Sequence, residues 1–281
     1  MRPIIDPQAL AARLDEPGLV VVDCRHDLAD PEAGARLHAE ARIPGARFAH
    51  LDRDLSDLGR RGHGRHPLPS AERFCAFLAS LGIGPQTRVV AYDADAGQYA
   101  ARLWWMCRAI GLPEPLLLDG GFAAWVEAGL PLERGTPKTP IPVATWRSEY
   151  AEGGHLESDA LMPLLAEGRI LLLDARARER FRGDIEPIDL VPGHVPGARN
   201  RPFTENLQGG RFKAPEQLAA EFAKLLEGAP PDSVVHMCGS GVTACHNLLA
   251  MEIAGLPGSR LYVDSWSGWI SDPLRPVACG E

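Results

Sequence analysis

A cysteine stands where a short apolar run gives way to a loop of small residues and then to a helical stretch. Residues 234–237 predict a buried strand, residues 238–243 (Cys-Gly-Ser-Gly-Val-Thr) a loop, and residues 244–251 the start of a helix. Loop N–H groups and the positive end of the helix dipole would converge on the sulfur of Cys238, and such a place stabilises the nucleophilic thiolate. The pattern therefore predicts a nucleophilic cysteine, with an inert buried thiol at a tight turn as the alternative.

The loop argues against phosphate chemistry. A phosphatase that attacks through cysteine needs an arginine six residues on to grip the phosphate oxygens, and this chain has Ala244 there. Gly239 and Gly241 let the backbone fold around whatever the sulfur carries, while Ser240 and Thr243 add hydroxyl groups. A small transferred group such as a sulfur atom fits this loop better than a phosphate.

The chain contains an internal repeat, because corresponding segments occur in the same order in both halves. These pairs are 19–25 with 170–176, 43–47 with 195–199, 89–93 with 234–238, 110–113 with 254–257, and 121–125 with 265–269. Each half alternates short apolar strands with helical stretches, which indicates an α/β fold with a mainly parallel sheet. We expect one domain over residues 1–136, a proline-rich linker at 137–143 and a second domain over 144–281.

The repeat also supplies a comparison for the candidate nucleophile. The first half has Asp93 where the second half has Cys238, and Asp95 adds another carboxylate to the same loop. This loop cannot carry a sulfur atom as a persulfide, and we expect its charges to repel an anionic donor. The first domain is therefore predicted to be catalytically silent.

Residues 238–243 resemble the active-site loop of the rhodanese-type sulfurtransferases, in the form typical of the 3-mercaptopyruvate sulfurtransferases. The tandem organisation, with the cysteine in the C-terminal domain, resembles the same family from Pro17 to Val277. The resemblance implies two tandem rhodanese-like domains, each a mainly parallel sheet flanked by helices. It also implies an enzyme that takes a sulfane sulfur as a Cys238 persulfide and passes it to a thiol, cyanide or thioredoxin-like acceptor, without a metal or organic cofactor.

The donor of such an enzyme is a small anion, so the site requires a cation. Arg180 and Arg182 belong to the second half and have no arginine counterparts in the first, which makes them our candidates. The resemblance assigns the grip on the donor to Arg180. It places a second arginine nine residues further on, where this chain has Asp189, and Arg182 or Arg201 is the expected substitute.

The resemblance further implies residues that orient and polarise the donor. In the mercaptopyruvate enzymes the counterpart of Ser240 acts with a histidine and an aspartate from the first domain. The matching positions here are His66 and Asp52, and the unusually long intervening loop makes His63 an alternative to His66. The expected arrangement follows the logic of a nucleophile-orienting triad.

The remaining predicted contacts come from the loop and from a tryptophan near the C-terminus. We expect the N–H groups of Gly239, Gly241, Val242 and Thr243 to cradle the persulfide. Trp266 lies in a Ser-Trp-x-x-Trp segment that resembles the family's C-terminal signature. Its side chain either forms a wall of the pocket or packs in the core.

Composition argues against several other classes of protein. The chain has 29 lysines and arginines against 37 aspartates and glutamates, a net charge of −8, which disfavours nucleic-acid binding. No apolar run approaches the length of a membrane span, and the N-terminal residues lack the apolar core of a signal peptide. Six cysteines without paired spacing or a Cys-x-x-Cys motif predict a cytoplasmic protein without a zinc site.

Three functions remain open at this point. The Gly-Ser-Gly sequence of the loop favours transfer of sulfur from 3-mercaptopyruvate. The absence of an arginine at Asp189 keeps open a thiosulfate sulfurtransferase. A non-enzymatic sulfur carrier or redox sensor, in which Cys238 is modified without turnover, is the third.

Overall fold

The computed structural model describes residues 2–281 of the chain and divides into two compact units. The first consists of the residues up to Asp57, Leu68–Ala151 and Gly209–Arg211, and the second of Leu58–Pro67, Glu152–Gln208 and Phe212–Glu281. Residues 58–67 thus belong with the second unit, although the chain on either side belongs to the first. The domain boundaries predicted at residues 136 and 144 stay predictions.

The first unit is built on a five-stranded sheet. Its strands are β1 (Ile4–Ile5), β2 (Leu19–Asp23), β3 (Arg47–Phe48), β4 (Arg88–Tyr92) and β5 (Leu116–Leu118), and its helices are α1 (Pro7–Ala11), α2 (Ala33–Glu40), α3 (Leu51–Asp54), α4 (Ala71–Ser80), α5 (Ala100–Ala109) and α6 (Gly121–Glu127). The strand order is β1-β5-β4-β2-β3, and all neighbours are parallel. The central strands β2 and β4 are nearly continuous apolar runs, as expected for parallel strands covered on both faces.

The second unit repeats this sheet. Its strands are β6 (His155–Leu156), β7 (Leu171–Asp174), β8 (Arg199–Asn200), β9 (Leu207–Gln208), β11 (Val234–Met237) and β12 (Arg260–Tyr262), with β10 (Arg211–Phe212) at the boundary of the two units. Its helices are α7 (Ser158–Ala166), α8 (Arg178–Arg182), α9 (Pro215–Leu226), α10 (Ala244–Ile253) and α11 (Ser265–Trp269). The order β6-β12-β11-β7-β8 matches the first sheet strand for strand, and β9 and β10 form a separate two-stranded sheet. The predicted α/β fold of two similar domains with parallel sheets is confirmed.

Both units contain the same buried ion pair at the end of the strand that follows the first helix. Arg25 Nη2 lies 2.6 Å from Asp23 Oδ2, and Arg176 Nη2 lies 2.7 Å from Asp174 Oδ2. Each guanidinium also donates to a loop carbonyl oxygen at 2.7 Å. Because the pair occurs in both halves, it belongs to the framework of the repeat and not to the chemistry of one half.

Helix α10 fixes the position of the loop that precedes it, because nine of its ten residues are buried. Its one buried amide side chain is fully engaged: Asn247 Nδ2 donates to the carbonyl oxygen of Arg201 at 2.8 Å, and Asn247 Oδ1 accepts from Asn206 Nδ2 at 2.6 Å. A buried polar group that is hydrogen-bonded on both sides specifies a single packing arrangement. No helix within residues 2–281 has the length and apolarity needed to cross a membrane.

Candidate active site

The strand, loop and helix predicted around the cysteine are confirmed. Strand β11 ends at Met237, α10 begins at Ala244, and Cys238 is the first residue of the loop between them. Since β11 is the central strand of its sheet, the loop lies at the carboxyl edge where α/β sheets commonly bind ligands. Cys238 is a free thiol with 2% of its surface exposed.

Several backbone N–H groups of the loop lack acceptors. Within residues 2–281, those of Gly239, Ser240, Val242 and Thr243 make no hydrogen bond, and the Thr243 side chain does not cap α10. Gly241 has a φ of +76°, in the left-handed region that glycine tolerates. Because buried N–H groups are nearly always paired, successive unpaired donors beside a cysteine indicate a site built for an anion.

The start of α11 holds the cysteine in place through three hydrogen bonds. The N–H of Cys238 donates to Ser265 Oγ at 3.2 Å, while the carbonyl oxygens of Cys238 and Gly239 accept from the N–H groups of Trp266 and Ser267, both at 2.9 Å. The Trp266 indole is fully buried in the core. Of the two roles open for Trp266, the structure supports core packing, and its contact with the loop is made by its backbone.

Ser240 and His66 meet within the second unit. His66 Nδ1 lies 2.7 Å from Ser240 Oγ, and both side chains are buried. His63, the alternative histidine, instead places its Nδ1 3.1 Å from Asp264 Oδ1. Asp52 lies on α3 in the first unit, and its participation stays a prediction.

Arg180 lies beside the loop. A Cβ atom placed on Gly239 would be 3.7 Å from both terminal nitrogens of Arg180. Arg180 Nη2 donates to Glu186 Oε1 at 2.7 Å and to Asp189 Oδ2 at 2.9 Å. Burial opposes ionisation of Glu186, but hydrogen bonds from Arg180 and from two backbone N–H groups outweigh it and lower the pKa of Glu186. The guanidinium is therefore held in one orientation by the carboxyl groups of Glu186 and Asp189.

The other two candidate arginines make different contacts. Arg182 Nη2 pairs with Asp184 at 2.7 Å, and its Nη1 lies 3.6 Å from Glu281. Arg201 is buried and pairs with Glu221 at 2.6 Å. Neither contact brings a guanidinium to the loop, so the role of Arg182 in donor binding stays a prediction that this geometry does not favour.

One arginine at the loop was missed by the sequence analysis. Arg65, directly before His66, has its Nη2 only 3.1 Å from the Cβ position of Gly239 and forms an ion pair with Asp189. Its neighbour His66 was selected from the same short segment, which is the sequence signal that could have drawn attention to it. The loop therefore has two arginines beside it and not one.

Charge at the loop comes from these arginines and not from the histidine upstream. His236 on β11 is fully buried, with its Nε2 3.2 Å from Met251 Sδ, and burial lowers its pKa to about 3. It is therefore neutral at physiological pH. Within residues 2–281, no group of three His, Cys, Asp or Glu side chains could hold a metal ion.

Two units repeat the same parallel sheet, and in the second of them a buried cysteine with unpaired loop amides follows the central strand. This arrangement fits the class of proteins that carry sulfur on a cysteine. The model of the rhodanese-like domain matches residues 6–128 and again 157–272. The chain belongs to the rhodanese-like family and is a sulfurtransferase.

The chain is similar over most of its length to sulfurtransferases that are named for two different donors. A probable 3-mercaptopyruvate sulfurtransferase from Pseudomonas aeruginosa is 48% identical over 281 residues, which cover 99% of this chain and 98% of that protein. A putative thiosulfate sulfurtransferase from Mycobacterium tuberculosis is 37% identical, covering 92% and 90%. The solved structure of 3-mercaptopyruvate sulfurtransferase from Leishmania major superposes with a TM-score of 0.87 at 32% identity, over 98% of this chain and 75% of that one.

Proposed function

We propose that this sulfurtransferase takes its sulfur from 3-mercaptopyruvate. The observation that carries the proposal is the hydrogen bond of 2.7 Å between His66 and Ser240, two residues after the nucleophile. A hydroxyl linked to an imidazole can polarise the donor's keto group and exchange a proton with it. A carboxylate with an adjacent ketone needs both this pair and the cation supplied by Arg180. The relatives named for this donor support the same choice.

The reaction proceeds in two steps. The Cys238 thiolate attacks the thiol sulfur of the donor, a sulfur–sulfur bond forms, and the carbon–sulfur bond breaks. Its electron pair stays on carbon as the enolate of pyruvate, which Ser240 and His66 can protonate. The unpaired N–H groups of Gly239, Ser240, Val242 and Thr243 stabilise the terminal sulfur of the persulfide.

In the second step an acceptor thiolate or cyanide attacks that terminal sulfur and releases the Cys238 thiolate. We propose a thiol, cyanide or thioredoxin-like acceptor, and ping-pong kinetics follow from the covalent intermediate. The reaction needs no metal or organic cofactor, so dialysis against a chelator should leave turnover unchanged. The six cysteines are all free, which supports the proposed cytoplasmic location.

Thiosulfate is the second candidate donor, favoured by Asp189 in place of an arginine and by the mycobacterial relative. Steady-state kinetics with each donor and a common thiol acceptor separate the two. We expect kcat/KM to favour 3-mercaptopyruvate by about tenfold or more, which is roughly 1.4 kcal/mol. A preference for thiosulfate would reverse the assignment. The non-enzymatic alternative is set aside because the chain is a sulfurtransferase.

The nucleophile is tested in the same assay. Cys238→Ser should abolish turnover and should not gain the mass of one sulfur atom after incubation with the donor. Cys279→Ser is the matched control, because Cys279 is an exposed free thiol outside the loop. Substantial activity in Cys238→Ser would refute the nucleophile assignment.

A further inference from the structure

We propose that Arg65 is the second arginine of the donor site and that Asp189 is a positioning residue that holds it there. This rests on the proposed function, since the ligand of the two arginines is the carboxylate of the 3-mercaptopyruvate donor. The chain has an aspartate where its family resemblance implies an arginine. In the structure Asp189 forms an ion pair with Arg65, which lies far from it in the sequence.

The backbone around Arg65 is fixed by a close contact between two glycines. Gly64 has a φ of +84°, and a Cβ atom on it would lie 2.5 Å from the carbonyl oxygen of Asp264. A Cβ atom on Gly268 would lie 3.2 Å from the Gly64 nitrogen and 2.5 Å from the Asp264 Cβ. The N–H of Arg65 then donates to Ser267 Oγ at 2.9 Å. Two residues without side chains thus let the segment lie directly on α11, beside the cysteine loop.

One terminal nitrogen of the Arg65 guanidinium is paired, and its other two nitrogens have no hydrogen-bond partner within residues 2–281. Its Nη1 pairs with the buried carboxylate of Asp189, which also accepts from Arg180 Nη2 at 2.9 Å. Its Nε is buried without a hydrogen-bond partner within residues 2–281, and its Nη2 lies over Gly239. Desolvated N–H donors on a guanidinium cost free energy unless a ligand satisfies them.

Two guanidinium groups beside one glycine would repel each other without the shared aspartate between them. Asp189 offsets that repulsion and leaves donors of both arginines beside Gly239, the residue after Cys238, where a carboxylate can bridge them. Asp189 and Glu186 already balance the charge of Arg65 and Arg180, so the pair offers hydrogen-bond geometry more than net positive charge. Such a site suits a singly charged carboxylate better than a dianion.

The test compares two donors, 3-mercaptopyruvate and 1-mercapto-2-propanone, which has the same thiol and ketone but no carboxylate. Persulfide formation is followed in single turnovers by mass, so that a slow donor is still measurable. We expect Arg65→Ala to slow the reaction of 3-mercaptopyruvate at low concentration about 10- to 100-fold, mainly by raising the apparent dissociation constant of the donor, and to leave the reaction of 1-mercapto-2-propanone unchanged. Arg61→Ala is the matched control, because Arg61 is an exposed arginine of the same segment, and it should change neither.

An equal loss with both donors would show that Arg65 only supports the loop, and no loss with either would show that it does not bind the donor. Both results overturn the proposal. A second variant guards against misfolding: Arg65→Ala combined with Asp189→Arg should recover about tenfold over Arg65→Ala alone. A folded double variant that stays equally slow counts against the assignment. Failure of the proposed function is distinguishable, because the unaltered protein would then not turn over 3-mercaptopyruvate.

Discussion

Both halves of the molecule contain the same strand, loop and helix, but the N–H groups of the loop are paired in the first unit and unpaired in the second. In the first unit the Asp93 carboxylate accepts from the N–H groups of its own loop, with Oδ1 2.9 Å from Gly97 and Oδ2 2.8 Å from Tyr99 and 3.1 Å from Ala100. In the second unit Cys238 takes that position and loop N–H groups remain unpaired. The first residue of the loop therefore supplies an internal anion in one half, whereas the amides of the other half are left for an external one.

This comparison corrects the physical reason for the predicted silence of the first domain. The sequence alone predicts that Asp93 repels an anionic donor. In the structure Asp93 is 1% exposed, and its carboxylate is turned onto its own backbone. Burial raises the pKa of Asp93 although three N–H groups oppose the shift. The loop is unsuited to a donor because its amides are occupied.

The largest effect is expected when the second loop is converted into the first. Cys238→Asp should abolish turnover, a loss of about 10³-fold or more, while the carboxylate binds the unpaired amides and keeps the protein as stable as the unaltered chain. Turnover and thermal unfolding measure the two halves of this prediction. Cys238→Asn, which has the same size without the charge, is the matched control and should be less stable than the aspartate variant.

If Cys238→Asp unfolds more easily than Cys238→Asn, the second loop is not an anion site, and the contrast between the two loops is wrong.

The reverse exchange tests whether a cysteine alone makes the first loop active. Asp93→Cys combined with Cys238→Ser should stay inactive, since the first loop lacks an equivalent of Ser240 and its hydrogen bond to His66.

The second-largest effect is expected on the free energy of unfolding when the Asp93 carboxylate is removed from the first loop. Asp93→Ala leaves two buried N–H groups and one half-buried N–H group without an acceptor, so we expect the free energy of unfolding to fall by about 2–3 kcal/mol. Urea unfolding measures this. Asp93→Asn keeps one acceptor oxygen and should lose less, and Thr243→Ala in the second loop should change stability little because that side chain caps nothing. An Asp93→Ala protein as stable as the unaltered chain would show that the carboxylate does not hold the loop.

The sequence was sufficient for the features that depend on local pattern. The apolar run before Cys238 predicts a buried strand, and the repeated segments predict two similar domains, and both are confirmed. The nucleophilic role of Cys238 stays a prediction. Arg65 escaped prediction because its position depends on the contact between Gly64 and Gly268, which are far apart in the chain. Nothing in the residue types alone says that such a contact forms.

For a related reason, residue types alone do not separate Arg180 from Arg182, and only the family resemblance favours Arg180. Both lie on α8, a helix of five residues, and which one faces the loop depends on how that helix is seated. Glu186 and Asp189 hold Arg180 at the loop, whereas Asp184 and Glu281 hold Arg182. The contacts that decide which arginine lies at the loop are made by carboxylates outside α8.

The smallest effect on stability and turnover is expected at the first residue of the last helix of each unit, which lies against the loop. Gly121 and Ser265 correspond in the repeat and share a left-handed backbone, with φ of +57° and +52°. Serine is strained there, yet its hydroxyl accepts the N–H of Cys238 at 3.2 Å. Ser265→Gly relieves the strain and removes the acceptor, so stability should change by less than about 1 kcal/mol while turnover falls roughly tenfold. Unfolding and kcat are measured together.

The reciprocal change shows why the first unit uses glycine. A Cβ atom on Gly121 would lie 2.8 Å from both the carbonyl oxygen of Asp93 and the nitrogen of Asp95. Gly121→Ser should therefore lower the free energy of unfolding by about 1–3 kcal/mol through overpacking against backbone. If Ser265→Gly kept full turnover, the hydroxyl would not be positioning Cys238, and the serine would be tolerated only because the second loop leaves room for its Cβ.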